Sequence, residues 1–275
     1  MPDRIWSTLH VRHVSKSFDG LDGGAYEALA DVDLQIQRGD FYCLLGPSGC
    51  GKSTILSLVA GFEPPTIGRI EFEGSDGARA WRQPVRQPGT DRIAIFQDAS
   101  AALFPWLNVE ENILFGLKLR STAPQRSAEL LKTYVEMVGL SQHAQKFPFE
   151  LSGGMKQRVQ IARSLIMEPD LLLMDEPFAA LDAITKRSLQ QELSKIWQQT
   201  HMTVIYVTHD IIEAVLLGNR IAVMTTGPAA RIKTEIKIDL PRPRITTNIE
   251  FVEVVSALDR LIEEEVHGAR AKSIE

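Results

Sequence analysis

Gly46-Pro47-Ser48-Gly49-Cys50-Gly51-Lys52-Ser53-Thr54 follows the apolar run Phe41-Tyr42-Cys43-Leu44-Leu45 and fits the spacing G-x-x-x-x-G-K-[ST]. The stretch reads as a strand, a phosphate-cradling loop and the start of a helix. A polyphosphate can lie against bare main chain only where side chains are absent, and Gly46, Gly49 and Gly51 supply that room. Backbone N–H groups then point at the anion, and the helix aims its positive dipole end the same way. Lys52 can reach the β- and γ-phosphates as a point charge, and the Ser53 hydroxyl can ligate Mg²⁺. A glycine-rich turn before a helix is the plainer reading, but the full spacing arises by chance only about once in a hundred chains of this length. A nucleoside triphosphate site is the expectation.

Hydrolysis at such a site needs a metal anchor and a group that positions water. Leu171-Leu172-Leu173-Met174-Asp175-Glu176-Pro177 offers two adjacent carboxylates after a continuous apolar run. The carboxyl end of a strand is where the ligand crevice of an open α/β sheet lies. Asp175 can hold Mg²⁺ and Glu176 can orient or deprotonate water. Leu151-Ser152-Gly153-Gly154-Met155 is a second glycine-rich helix start, an anion site by geometry or simply a serine cap. Since the chain already has one phosphate loop, a second phosphate-seeking helix terminus suggests that it completes the site of another copy.

The chain of 275 residues can bury a substantial core. A formal net charge of -5 argues against nucleic acid as the main partner, because phosphate-backbone binding needs a basic face. No stretch approaches the roughly eighteen consecutive apolar residues of a membrane helix, and Met1-Pro2-Asp3-Arg4-Ile5-Trp6 does not open a secretory leader, so a cytosolic chain is expected. The two cysteines, Cys43 in a strand pattern and Cys50 in the loop, read as small core and loop residues rather than a disulfide framework.

Leu9, Val11 and Val14, then Val32, Leu34 and Ile36, have the near-alternation of half-buried strands and predict an antiparallel edge before the core. Residues 19–26 mark a flexible turn flanked by Phe18 and Tyr26, either of which could stack on adenine or merely pack on the sheet. Residues 69–73 alternate as a strand, 74–91 read as a surface loop, and 93–96 form a short strand ending on Gln97. Between about residues 100 and 165 the pattern is helical: Asn108 with Glu111 forms a capping box, a helix follows Pro124 and stops at Gly139, and another begins at Ser152. Strands return at 171–174, 204–207 and 221–224, with a helix over 183–199. An amphipathic tail helix with Phe251, Val254, Val255, Leu258, Leu261 and Ile262 is expected to pack on the body, partner binding being its alternative.

Taken in order, residues 46–54, Gln97, 151–155, 171–177, Ala180-Leu181-Asp182 and His209 resemble the nucleotide-binding subunit of ATP-binding cassette (ABC) transporters over nearly the whole chain. The resemblance implies a P-loop NTPase (RecA-like) α/β fold: a mostly parallel sheet core over 1–99 and 166–240 with an antiparallel β edge, an inserted helical subdomain over 100–165 and a tail over 241–275. It implies ATP and Mg²⁺ as cofactors. ATP would be held by Gly46, Pro47, Ser48, Gly49, Cys50, Gly51, Lys52, Ser53 and Thr54, with Phe18 under adenine and Tyr26 as its competitor. Mg²⁺ would be held by Ser53, Gln97 and Asp175. Lys52, Gln97, Glu176 and His209 would be catalytic, although alone Gln97 reads as a strand-end amide and His209 as a helix cap. Two cassettes would pair head to tail, so that Ser152, Gly153 and Gly154 of one meet the γ-phosphate held by Lys52 of the other, and Asp182 would link the sites. The family's signature commonly ends in Gln where this chain has Met155, which cannot hydrogen-bond as an amide does.

A finer resemblance, to importers of the nitrate/sulfonate/taurine type, rests on Phe104-Pro105-Trp106, on residues 152–159, 175–183 and 208–215, and on Leu240-Pro241-Arg242-Pro243-Arg244. It implies an ATPase coupled to uptake of a small solute, peripheral on the cytoplasmic face of the inner membrane. Its partners would be a second ATP-binding subunit, an integral membrane permease docked at Phe104 and Trp106 and, indirectly, an extracytoplasmic solute-binding protein; no nucleic acid is expected. Local core is the plainer role of those aromatics. The competing class is a soluble cassette ATPase of DNA maintenance or translation. A small-molecule kinase would leave the Ser152 motif unexplained.

Overall fold

The computed structural model describes residues 5–20, 24–76 and 79–272, with side chains to residue 265 except Ser100. The chain divides into two compact units, Met1–Gly89 with Thr203–Glu275 and Thr90–Met202.

In the first unit, β1 (Trp6–Asp19) pairs antiparallel with β2 (Ala25–Gln37) and β4 (Ile67–Asp76). On β2, Ala30, Val32, Leu34 and Ile36 are buried and alternate with exposed Asp31, Asp33 and Gln35, the period of a sheet wet on one face. β1 loses register between Val11 and Val14, where His13 takes a left-handed backbone with φ 47. The unit's second ladder runs β10-β9-β3-β8. In it β3 (Phe41–Leu45) lies parallel to β8 (Thr203–Thr208) and β9 (Arg220–Met224), while β10 (Ile232–Lys237) closes β9 antiparallel. Every residue of β3 and β8 is buried, as strands covered on both faces require. Gly61, with φ 80, ends α1 (Lys52–Ala60) by donating to Leu58 and Ser57.

Residues 74–91 are not simply loop. β5 (Arg79–Pro84) pairs antiparallel with β4, setting Gly74 opposite Trp81 and Glu71 opposite Pro84. Almost all of β5 is exposed, so no apolar alternation marks it, and its proline sits at the end of a strand on the sheet's edge. The turn expected at residues 19–26 is described only at its ends, because residues 21–23 lie outside the described residues.

The tail is tied down from below. Arg242 donates to the carbonyls of Leu216 and Leu217, and Arg244 to those of Val215 and Gly218, at the C-terminal end of α7 (Ile211–Leu217). These guanidiniums complement the negative end of that helix, and burial lowers both to about 10. α8 (Ile249–Lys272) then buries Phe251 and Leu258 against the unit, as its apolar stripe predicts.

In the second unit, β6 (Arg92–Ile95) and β7 (Leu171–Asp175) pair in parallel. Around them lie the short α2 (Ala99–Ala102), α3 (Val109–Leu119), α4 (Pro124–Met137), α5 (Gly153–Leu165) and α6 (Ala183–Thr200). The Asn108–Glu111 capping box forms, with Glu111 N–H donating to Asn108 Oδ1 at 2.8 Å and Asn108 N–H to Glu111 Oε2 at 3.0 Å.

Candidate nucleotide site

β3 delivers the phosphate loop to the N-terminus of α1. Gly49 and Gly51 have φ 79 and 87, values that cost a side chain strain but a glycine nothing. A Cβ on Gly51 would also stand 2.6 Å from Leu29 Cδ2, so packing and dihedral both exclude another residue there. Gly51 caps α1 and has no side chain with which to take a first-turn N–H. The Lys52 ammonium is nearly buried and donates to Gly46 O at 2.8 Å and Pro47 O at 2.7 Å. That holds one positive charge over the loop. The Ser53 side chain is exposed at the second residue of the helix. Cys50 is a buried free thiol, and burial raises its pKa.

Phe18 and Tyr26 are direct cross-strand partners on β1 and β2, so their side chains share one face of the sheet. Phe18 carries the Lys16 ammonium over its ring at 4.9 Å. Tyr26 reaches the surroundings of the phosphate loop: a Cβ built on Gly227 would lie 3.1 Å from Gly49 O and 3.7 Å from the Tyr26 hydroxyl. Residues 227–230 are held there because Ala229 N–H donates to Glu27 O at 2.7 Å and Ala230 N–H to Ala28 O at 3.2 Å. Sequence reasoning missed this segment, for nothing in Gly227-Pro228 announces a neighbour some 180 residues earlier.

His209 is exposed between β8 and α7. The residues on either side of it are anchored. Thr208 donates to Glu213 Oε2, Asp210 N–H donates to Thr208 Oγ1 at 3.0 Å, and Asp210 caps α7 through Ile212 and Glu213 N–H. A short polar clamp thus fixes the backbone that carries the imidazole.

In the second unit, Asp175 is the last residue of β7 and Glu176 follows with φ 42, a left-handed backbone rare outside glycine and asparagine. Strain at a non-glycine residue after a buried strand marks a functional position in many proteins. Gln97 is exposed just beyond β6. Gln160 of α5 donates to Phe96 O at 3.3 Å, so the helix that begins at Ser152 supports the residue before Gln97. Gln160 is buried and sequence reasoning did not single it out; a glutamine within an apolar helix face was the available signal.

Ser152 caps α5, its Oγ accepting from Met155 N–H at 3.3 Å. A Cβ on Gly153 would touch Leu181 at 3.6 Å, and one on Gly154 would strike Thr185 Cγ2 at 2.4 Å. The Ser152 helix start is therefore packed against residues 181–185, where Asp182 caps α6 by accepting from Ile184 and Thr185 N–H at 3.1 and 3.0 Å. The Thr185 hydrogen bonds lower the Asp182 pKa, so it stays ionised at the positive end of α6. The structure thus gathers Ser152, Gly153, Gly154 and Asp182 in the second unit, and the loop with Tyr26 in the first.

Phe104 packs on Phe115 and Trp106, with ring centroids 4.4 and 5.6 Å away, and Trp106 is 70% exposed. Beside them is a hollow of ≈ 250 Å³ whose lining includes Ala102, Phe104, Phe115, Arg163 and Met167. Asn112 holds the rim, donating to Phe104 O, Leu107 O and Asn108 O and accepting from Phe104 N–H.

Residues 29–179 match the ABC transporter family. The chain is 42% identical to the uncharacterized ABC transporter ATP-binding protein MJ0412 of Methanocaldococcus jannaschii, over 96% of this chain and 94% of that protein. It is 46% identical to the nitrate import ATP-binding protein NrtD of Synechococcus elongatus, covering 86% of this chain and 83% of the other. The same identity holds with the bicarbonate transport ATP-binding protein CmpC of S. elongatus over 85% of this chain, which spans only 34% of that longer protein. Two solved structures share the fold. One is a dimeric, post-hydrolysis ATP-binding cassette, MJ0796, bound to ADP and Pi: TM-score 0.68, 28% identity, 85% of this chain and 100% of that one. The other is cbiO1 from Clostridium perfringens, part of the cbiONQ ABC transporter complex: TM-score 0.70, 26% identity, 85% and 89% coverage. With a phosphate loop of this geometry and a relative similar from end to end, this chain belongs to the ABC transporter family as one of its ATP-hydrolysing, ATP-binding cassettes.

Proposed function

We propose that the chain drives uptake of a small anion of the nitrate or bicarbonate kind, a sulfonate or taurine being the related alternatives, by hydrolysing ATP between two copies of itself. The observation that carries the proposal is the glycine-capped phosphate loop with Lys52 fixed over it, joined to the nitrate import and bicarbonate transport of relatives at 46% identity. The organisation inferred from sequence, a core over 1–99 and 166–240 with helices over 100–165 and a tail over 241–275, is part of the same proposal.

The residues suit ATP and Mg²⁺. The left-handed Gly49 and Gly51 of the loop and the Lys52 cation match a polyphosphate. The hydroxyl of Ser53, the amide of Gln97 and the carboxylate of Asp175 are the hard oxygen donors that would hold Mg²⁺. When bound, the metal neutralises charge on the phosphoryl oxygens. Lys52 would do the same from the loop side. Glu176 orients water and takes its proton as the oxygen bonds to phosphorus and ADP leaves. His209, fixed by the Thr208–Glu213–Asp210 clamp, would contact the γ-phosphate and support Glu176. Phe18 and Tyr26, side by side, offer adenine two aromatic surfaces. Ser152, Gly153 and Gly154 of a second copy would complete the phosphate's surroundings, with Asp182 coupling the two sites.

The hollow beside Phe104 and the exposed Trp106 would receive a short segment of an integral permease, aromatic anchors being common at interface centres. Among the described residues no helix is long and apolar enough to cross a membrane. In this reading the chain sits peripherally on the cytoplasmic face, and an extracytoplasmic binding protein delivers solute to the permease. Deleting the gene and testing growth on nitrate, on single sulfonates and at limiting inorganic carbon identifies the solute. Loss of one of these phenotypes, restored by the wild-type gene and not by a Lys52→Ala copy, is the expected result. Unchanged growth on all three, with the protein wholly soluble in cells, would favour the DNA-maintenance or translation class.

A further inference from the structure

The outer face of the first sheet carries a group of side chains that the nucleotide chemistry does not use. On β2 the inward residues Ala30, Val32 and Leu34 are buried, so Asp31 and Asp33 emerge together on the opposite face. On β1 the lost register between Val11 and Val14 turns His13 toward them. Its Nδ1 lies 2.9 Å from Asp31 Oδ1 and 3.2 Å from Asp33 Oδ2, and the three ligand atoms all fall within 4.8 Å of one another.

We propose that His13 Nδ1, Asp31 Oδ1 and Asp33 Oδ2 form a binding site for a divalent first-row transition metal ion, with Zn²⁺ as the probe. Bonds of about 2.1 Å set neighbouring donors about 3.0 Å apart in an octahedral ion and about 3.4 Å apart in tetrahedral Zn²⁺, so from 2.9 and 3.2 Å the carboxylates need move only a few tenths of an ångström from His13 Nδ1. One imidazole and two carboxylates suit Zn²⁺ or Mn²⁺, and the nitrogen donor disfavours Ca²⁺. The surroundings orient the donors. His13 N–H donates to Asp33 Oδ1 at 3.1 Å, leaving Oδ2 for the ion, and Asp31 N–H donates to Ser15 Oγ at 3.0 Å, fixing its strand.

Charge points the same way. The nearby arginines have acids of their own: Arg12 pairs with Glu71, Arg69 with Glu71, and Arg220 with Glu235 and Asp40. Among the described residues Asp31 and Asp33 have no lysine or arginine partner, so two carboxylates share one imidazole. His13 and Asp33 also stand in the wall of a cavity of ≈ 600 Å³ together with His10. The His10 side chain is 9% exposed; its Nε2 lies 3.2 Å from Glu73 Oε2, and its Nδ1 is buried with no hydrogen-bond partner. The cavity has room for water or a small anion to complete an ion's coordination. A bound ion would staple β1 to β2, the strands that carry Phe18 and Tyr26.

The test is calorimetric titration of ZnCl₂ into the full chain, stripped of metal and free of nucleotide, so that the phosphate loop lacks the phosphates that share its Mg²⁺. One ion per chain with Kd of about 1 μM or tighter is expected, a free energy of roughly −8 kcal/mol. His13→Asn keeps a residue that tolerates the left-handed backbone and Asp33→Asn keeps the shape. Each should weaken binding at least about tenfold, with the circular dichroism of the wild type. Failure of the wild type to saturate below about 1 mM, or a wild-type isotherm in both variants, would overturn the site.

Discussion

The chain has two glycine-rich helix starts, and they are built differently. At the first, residues 46–54, the cap is a left-handed glycine with no side chain, and a buried lysine is held over the loop by two of its carbonyls. At the second, residues 151–155, Ser152 already accepts from Met155 N–H, and Gly154 is pressed against Thr185. The first is an anion site by its own construction. The second is an ordinary capped helix whose glycines serve close packing on α6 as much as any ligand, so it acquires phosphate chemistry only when something else brings a phosphate to it. On the proposed reading the difference makes binding and dimerisation separable: one chain would hold nucleotide, and a second would be needed to make that nucleotide reactive.

Substitutions should fall on opposite sides of this divide. The largest effect is expected at the first start. Lys52→Ala removes the cation held over the loop and should weaken ATP binding by about 100-fold or more, since charge-assisted contacts to phosphate are the strong ones, as equilibrium titration of the isolated chain will show. Glu176→Gln should leave that affinity within about threefold while cutting turnover about 100-fold or more, the range of a lost general base, and should accumulate an ATP-bound dimer by size-exclusion chromatography. Equal loss of binding in both variants would erase the distinction between holding and reacting.

At the second start the expected effect is smaller and concerns packing. Gly154→Ala places a methyl 2.4 Å from Thr185 Cγ2 and should cost about 1–3 kcal/mol of stability by denaturant titration. Thr185→Ser removes that methyl while keeping the hydroxyl beside Asp182, and should restore most of the loss in the double variant. The smallest effect is chemical. Burial raises the thiols of Cys43 and Cys50, so both stay protonated at neutral pH, where thiolate is the reactive form. Iodoacetamide at pH 7 should label neither in the native chain and both after denaturation.

The legible parts of this protein were those where local chemistry and chain order agree. The phosphate loop, the Asn108–Glu111 box, the Gly61 stop and the all-buried strands β3 and β8 follow from residue type and period alone. The parts that were not legible are set by distant neighbours. β5 is almost wholly exposed and is a strand only because β4 pairs with it. β10 is a half-exposed edge whose pairing to β9 no alternation announces. The roles of Asn112 as a four-bond clasp, of Gln160 beneath Phe96, and of residues 227–230 against the loop depend on contacts between 4 and about 200 residues away. At the site, residue types were readable but backbone strain was not: Glu176 at φ 42 carries no mark in its sequence. Between Phe18 and Tyr26 the strand register makes neighbours of what the sequence offered as competitors.

The shared site is tested most directly by counting trapped nucleotide. In a Glu176→Gln background, chains carrying Lys52→Ala and chains carrying Ser152→Arg are purified separately, mixed, and passed through size exclusion with labelled ATP. One ATP per mixed dimer, with little retained by either variant alone, is the predicted result, because only the pairing of an intact Lys52 with an intact Ser152 from the other chain makes a complete site. Ser152→Arg chains that trap ATP alone as well as their parent does would contradict it.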